Sequence, residues 1–362
     1  MPTAGKKFAL GFVVIAIVCL IWGLLEPTSS VYRLHPRFKA SLSPLPQQRE
    51  TRLWESWKMV KVASVGAAQG LHGPAYLRTG PPDHVFILDT GDHKVKEISS
   101  SGKIVAELNL PQGFSAKGSI RLSDMAFSRD GTLWLCDVNL YTVGLLPDGS
   151  IHSLGAEGRA FRLATLQDRL IIMQPPTSNE LFASYTLSGH LIAKFGQFLE
   201  DQSRNGLPLL GRISAGDESE SIFYVPSYGG FLACVTAEGI TRFVVRTIEP
   251  PELPELILTR SGAVTYHGRL PVSVLGICVA AQRVYLLTAL STKLGTTARL
   301  VDVYSATNGS YLYSTAIQDR WTGMLFAGDL LYTSTDEGVT IWHRPADSPA
   351  VSDPNARTNG RP

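Results

Sequence analysis

Arginine recurs along this sequence at Arg121, Arg159 or Arg162, Arg212, Arg269 and Arg320, each just ahead of a run of β-forming residues. His72 holds the corresponding place before the first run. A guanidinium fork suits a carboxylate or phosphate, because its planar N–H donors meet two oxygens at once. Brought round one opening, Arg121, Arg162, Arg212, Arg320 and His72 would form a cationic ring for an anion. The plainer reading is that arginine is common in loops, and its offset to the following run varies by several residues. A second group comprises Asp89, Asp92 and His93, with Asp137, Asn139 and Tyr228 at comparable places further on. A carboxylate that ends a strand commonly accepts the N–H groups of its own tight turn. That is the expected role of Asp89 and Asp137, and His93 is expected as an exposed turn residue before a general base.

Other chemistries find no support. The eight histidines are scattered without metal-ligand spacing, and no nucleophile elbow, phosphate loop or dinucleotide fingerprint occurs. Catalytic residues, metals and cofactors are therefore all expected to be none. Four cysteines in 362 residues make no disulfide scaffold, and Cys136, Cys234 and Cys278 read as small buried residues. A net charge of +2 gives no general pull toward nucleic acid.

The elements that must position these residues are strands. Between Leu53 and Arg344 no convincing amphipathic helix occurs; short runs of Val, Ile, Leu, Phe and Tyr alternate with two-residue turn signals. Glycine turns at Ser101-Gly102, Asp148-Gly149, Ser188-Gly189, Glu238-Gly239 and Asn308-Gly309 set a repeat with gaps of 47, 40, 50 and 70 residues. Each turn joins two strands and has two more upstream. The first unit reads Pro74–Arg78, His84–Leu88, Lys94–Ser99 and Lys103–Leu108. The sixth has only Met324–Ala327, Leu330–Ser334 and Gly338–Arg344, while Lys58–Val65 is a spare strand ahead of unit one. A missing outer strand at one end and a spare at the other would close a ring and leave no interface open. A degenerate seventh unit around Ile257–Tyr266 is the alternative count.

Val85-Phe86-Ile87-Leu88-Asp89-Thr90-Gly91-Asp92-His93-Lys94-Val95-Lys96-Glu97-Ile98, followed by Ser101-Gly102, resembles an NHL-type repeat of the six-bladed β-propeller superfamily. Unit two keeps Leu135-Cys136-Asp137 but loses the glycine and histidine; the later units keep only the strand pattern. The resemblance implies an all-β, six-bladed propeller over residues 53–345, with the outer strand of the last blade supplied by the N-terminal strand. It also implies ligands at one mouth of a central channel, which is where the arginines would gather. Calcium-dependent lactonase propellers need converging carboxylates on the innermost strands, and here only Asp124 stands near such a position, too few for that ion.

The ends differ from the body. Phe8–Leu25 is an uncharged apolar run of 18 residues behind Lys6 and Lys7, roughly 27 Å as a helix. Residues 1–25 are expected as a retained signal anchor rather than a cleaved signal peptide. With Glu26 beside the outer end, the N-terminus is placed in the cytosol and the body outside, periplasmic or at the cell surface. Residues 26–52 are Pro/Ser-rich and read as a flexible tether, and 346–362 as a disordered tail. The functional expectation is a membrane-tethered, non-catalytic module whose partner is a protein or an anionic small molecule or carbohydrate. The alternative is a propeller enzyme of the lactonase, lyase or quinoprotein-dehydrogenase kind.

Overall fold

A computed structural model describes residues 32–80, 84–108, 122–137, 142–147, 149–154, 158–216, 220–250, 252–259, 262–267, 274–291 and 297–343. They form seven sheets, six four-stranded and one three-stranded. Sheet I contains Pro74–Gly80, His84–Asp89, Lys94–Ile98 and Ile104–Leu108. Sheet II has Leu122–Phe127, Leu133–Asp137, Thr142–Leu145 and Ile151–Ser153. Sheet III has Arg162–Leu166, Arg169–Met173, Phe182–Thr186 and Leu191–Phe195. Sheet IV has Gly211–Gly216, Ser221–Pro226, Phe231–Thr236 and Thr241–Arg246. Sheet V has Val274–Ala280, Arg283–Ser291, Thr297–Ser305 and Tyr311–Ile317. Sheet VI orders Gly323–Ala327, Leu330–Thr335 and Gly338–His343, then Lys61–Gly66 from the other end of the chain.

The first strands of successive sheets touch one another in order, I to II and on to VI, and VI returns to I. Closure rests on Lys61–Gly66, antiparallel to Gly338–His343 with Gly66 opposite Gly338 and Val65 opposite Val339. This is the spare strand read from the sequence, in the place expected for it.

Alternation explains how short apolar runs hold six sheets together. Successive side chains on a strand face opposite sides. Ile171 and Met173 therefore pack against sheet IV, while Leu170 and Ile172 pack against sheet II. Every pair of adjacent four-stranded sheets encloses its own apolar cluster, giving six small cores among the described residues. A middle strand such as Phe231–Thr236 is buried on both faces, which is why it reads as a near-continuous apolar run. The glycine turns also gain a reason. Gly239 sits at φ +89°, and a Cβ there would lie 2.6 Å from Phe195 on the outer strand of the preceding sheet.

The expected tether is corrected. Residues 36–58 run along the outside of the sheets. Phe38 bridges to Leu199 and sets its ring edge-on to Phe231 at 5.1 Å. Leu45 exchanges backbone hydrogen bonds with Val244 and Arg246, and Leu53 and Glu55 do so with Ser314. Arg52, 5% exposed, pairs with Asp302 and with Glu249 at 3.1 Å. Trp57 packs against Tyr285 and Phe326. The segment is held by single anchors at irregular spacing, so it carries no apolar period.

The three-stranded sheet is a separate unit in which Leu256–Leu258 pairs with both Tyr32–Leu34 and Val264–Tyr266. The stretch weighed as a further repeat is thus a short hairpin paired with residues 32–34. Within it Glu255 faces His267 at 3.4 Å, His35 at 3.5 Å and Arg33 at 3.9 Å. No helix among the described residues is long and apolar enough to cross a membrane. Residues 8–25 and the tail after 343 lie outside the described residues.

Candidate functional site

On the first strand of sheet I, Tyr76 and Arg78 occupy alternate positions and share one side. Arg78 is fixed by acceptors on three sides: Asp124 Oδ1 at 2.7 Å, the Met125 carbonyl at 3.0 Å and the Leu77 carbonyl at 3.0 Å. The fully buried Asp124 carboxylate also accepts the N–H of Met125 at 2.9 Å and of Leu163 at 3.1 Å. It ties sheets I, II and III together, so it is structural.

Arg162 and Arg212 are different. The Arg162 guanidinium lies 5.3 Å from the Tyr76 ring centre and donates Nη1 to the carbonyls of Phe161 (2.6 Å) and Ser123 (3.1 Å). Arg212 lies 5.5 Å from the same ring and donates Nη1 to the Tyr76 hydroxyl at 3.0 Å. Sheets I and IV are three apart in the ring, so this bond crosses its centre. Arg78 completes the group at 5.9 Å. No carboxylate among the described residues lies within 4.0 Å of Arg162 or Arg212, and the Nε–H of each is buried without a partner. These groups line a cavity of about 490 Å³ together with Thr90, Thr322, Asp336 and an apolar surface from sheets V and VI. A second cavity of about 770 Å³ lies along the later residues of all six inner strands.

Of the five residues expected to form a cationic ring, the structure brings together Arg162 and Arg212. Arg121 lies outside the described residues, as does Arg269. Arg320 and His72 are exposed and do not line the cavity, as is Arg159. The ring is corrected to a pair with a reason in the offsets: Arg162 and Arg212 lie inside their inner strands, whereas His72 and Arg320 precede theirs by two and three residues. Tyr76 and Arg78 were missed. Their signal was an aromatic and a cation at alternate positions of an inner strand, where apolar residues would suffice for a core.

Asp89 has the expected turn role and more. It accepts the N–H of His72 at 2.9 Å and of Gly91 at 3.1 Å, and pairs with the buried Lys96 ammonium at 2.9 Å. Lys96 also bonds Asp92 and the Gly70 carbonyl. Burial alone would raise the Asp89 carboxyl, but Lys96 and the two N–H groups outweigh it and hold it below the usual range. Against the same burial, Asp89 and Asp92 raise Lys96. His93 is exposed in the left-handed region at φ +58°. Asp137 is buried at the end of its strand, and Asn139 lies outside the described residues. Burial pushes the Cys136 thiol up to about 12, and Cys234 and Cys278 are likewise buried; none of the three is in a disulfide among the described residues. Among the described residues no cluster of three or more His, Cys, Asp or Glu could hold a metal.

Six sheets whose first strands meet in a ring have counterparts among solved structures. A member of the DUF4221 family from Bacteroides vulgatus superposes with a TM-score of 0.54 at 10% identity, over 82% of this chain and 98% of that one. Streptogramin B lyase gives 0.50 at 10% identity, over 80% and 99%. A putative exported protein from Bacteroides fragilis gives 0.50 at 10% identity, over 83% and 99%. The fold is a β-propeller. At such identities the likeness reaches the fold alone. No protein-family model and no curated protein sequence matches the chain. In propeller terms, Tyr76, Arg162 and Arg212 stand at the start of the inner strands, around one mouth of the channel.

Proposed function

We propose that this chain is a six-bladed, NHL-like propeller that binds an anionic ligand without turning it over. Residues 8–25 hold it to a membrane, with the propeller outside the cytosol. What carries the reading is the pair Arg162 and Arg212: two guanidinium groups lining a cavity, with no carboxylate among the described residues within 4.0 Å of either. A guanidinium not already held by a carboxylate keeps its charge and planar donors for an incoming oxyanion. The contrast with Arg78, whose charge Asp124 already balances, supports the same view. The apolar run behind Lys6 and Lys7 supports the anchor and its orientation.

Calorimetric titration of the purified full chain with a panel of organic and inorganic anions tests this. Binding should weaken as salt rises, because exposed charge is screened over about 8 Å at physiological ionic strength. It should vanish in R212A. Turnover of a lactone, ester or sugar acid by the wild type, lost in the same variant, would instead establish the enzyme reading. Protease access to the body in sealed cells tests the orientation.

A further inference from the structure

Resting on that anion-binding reading, we infer that the ligand is a monoanionic acid with an apolar body, not a polyanion such as a phosphorylated sugar. Two features of the cavity carry this. The first is charge. Among the described residues the groups at the cavity are Arg78, Arg162 and Arg212, with Asp124 paired to the first and Asp336 itself in the lining. Three cations and two carboxylates leave one surplus positive charge. A di- or trianion would bring uncompensated negative charge close to Asp336 in a partly desolvated site.

The second feature is the asymmetry of the walls. The oxyanion donors come from sheets I, III and IV: the guanidinium groups of Arg162 and Arg212, and the Tyr76 hydroxyl, whose oxygen accepts from Arg212 and whose own proton can donate. Sheets V and VI contribute Leu275, Gly276, Ile277, Gly323 and Met324, an apolar surface beside Thr322, whose hydroxyl already donates to the Ser334 carbonyl, and Asp336. An acid bound head-on to the arginines directs its body along that surface, where burying each CH₂ adds a gain that no charged substituent would. Gly276 has ordinary negative φ, and a Cβ on it would meet nothing closer than Leu287 at 3.7 Å, so the wall has room at that point.

The test uses the full chain in lipid nanodiscs, with empty discs subtracted, titrated calorimetrically with hexanoate, acetate, hexanol, inorganic phosphate and citrate. Hexanoate should bind at least tenfold tighter than acetate, hexanol or phosphate. R212A should abolish binding of both carboxylates. L275N should bring hexanoate within about threefold of acetate while leaving acetate unchanged, and D336N should improve phosphate at least fivefold. G276A, which adds apolar surface without moving a neighbour, should tighten hexanoate while leaving acetate unchanged, and serves if L275N fails to fold. Phosphate or citrate binding as tightly as hexanoate, with loss in R212A, overturns this inference and leaves the anion-binding reading standing. Hexanol matching hexanoate, or no acid binding at all, overturns both.

Discussion

Two buried carboxylates, Asp89 in sheet I and Asp302 in sheet V, each pair with a buried cation, yet their environments push them in opposite directions. Asp89 pairs with Lys96, seven residues on, and takes two backbone N–H groups; the net effect lowers it. Asp302 pairs with Arg52, 250 residues away, and among the described residues otherwise accepts only from the hydroxyls of Ser314 at 2.5 Å and Thr288 at 3.2 Å. There burial prevails over Arg52, and the carboxyl is raised. The lesson is that a cation alone does not settle the fate of a buried acid. Fixed backbone donors, Gly91 in the turn itself and His72 ahead of the first strand, complete for Asp89 the solvation that Asp302 lacks.

The largest expected effect comes from removing the context of the Asp302 pair altogether. Deleting residues 1–66 takes away Arg52, the packed segment and the outer strand of sheet VI. It bares the edge of Gly338–His343, and aggregation measured by light scattering should replace a monodisperse protein. Deletion of residues 1–31 should leave the propeller folded. Next, Arg52→Met should cost about 3 kcal/mol at pH 7 by urea unfolding, as for a buried pair broken on one side. That cost should shrink as pH falls, since Asp302 then takes up a proton more readily. Lys96→Met should cost about 2 kcal/mol, less because two N–H groups still hold Asp89.

The acid limb sharpens the contrast. Asp89 is lowered in the fold, so its stabilisation is complete above its ordinary value near 3.8 and is lost as pH falls through the depressed one. Asp302 is raised, so its contribution is complete below that ordinary value and is lost as pH rises through the folded one. D89N should therefore flatten the loss of stability in acid, while D302N should steepen it, both read from unfolding curves between pH 3 and 6. The smallest effect belongs to Arg212. With no ion pair to lose among the described residues, R212A gives up the bond to the Tyr76 hydroxyl and should cost about 1 kcal/mol.

How much of this was legible depended on distance along the chain. The turn around Asp89 is written in consecutive residues, and the glycine turns at Gly102, Gly189, Gly239 and Gly309 mark the strand register because each must clear the preceding sheet, as Gly239 clears Phe195; Gly149 has open space. The closing strand was also legible, since a three-strand unit at one end and a lone strand at the other fit each other. Residues 36–58 were not. Phe38 and Leu45 meet sheet IV, Arg52 meets sheet V and Trp57 meets sheets V and VI, and no period in the sequence marks such contacts. At the cavity, proximity to a strand was visible, but whether an arginine sits inside the strand or two residues before it was not. That small difference separates Arg162 and Arg212 from His72 and Arg320. Tyr76 joined them only through a bond across the ring, between residues 136 positions apart.

The pairing of Lys61–Gly66 with Gly338–His343 has a consequence for how the molecule comes into being. About 270 residues separate the two partners, and a contact so remote carries a large loop-closure entropy that nearby pairings do not. A ribosome must reach Gly338–His343 before the early strand has its partner. Until then the other five four-stranded sheets can assemble in order of synthesis while Lys61–Gly66 waits with unpaired N–H and C=O groups. The clasp is the last joint to form, and that interval is when the nascent chain is most exposed to pairing with a neighbour of its own kind.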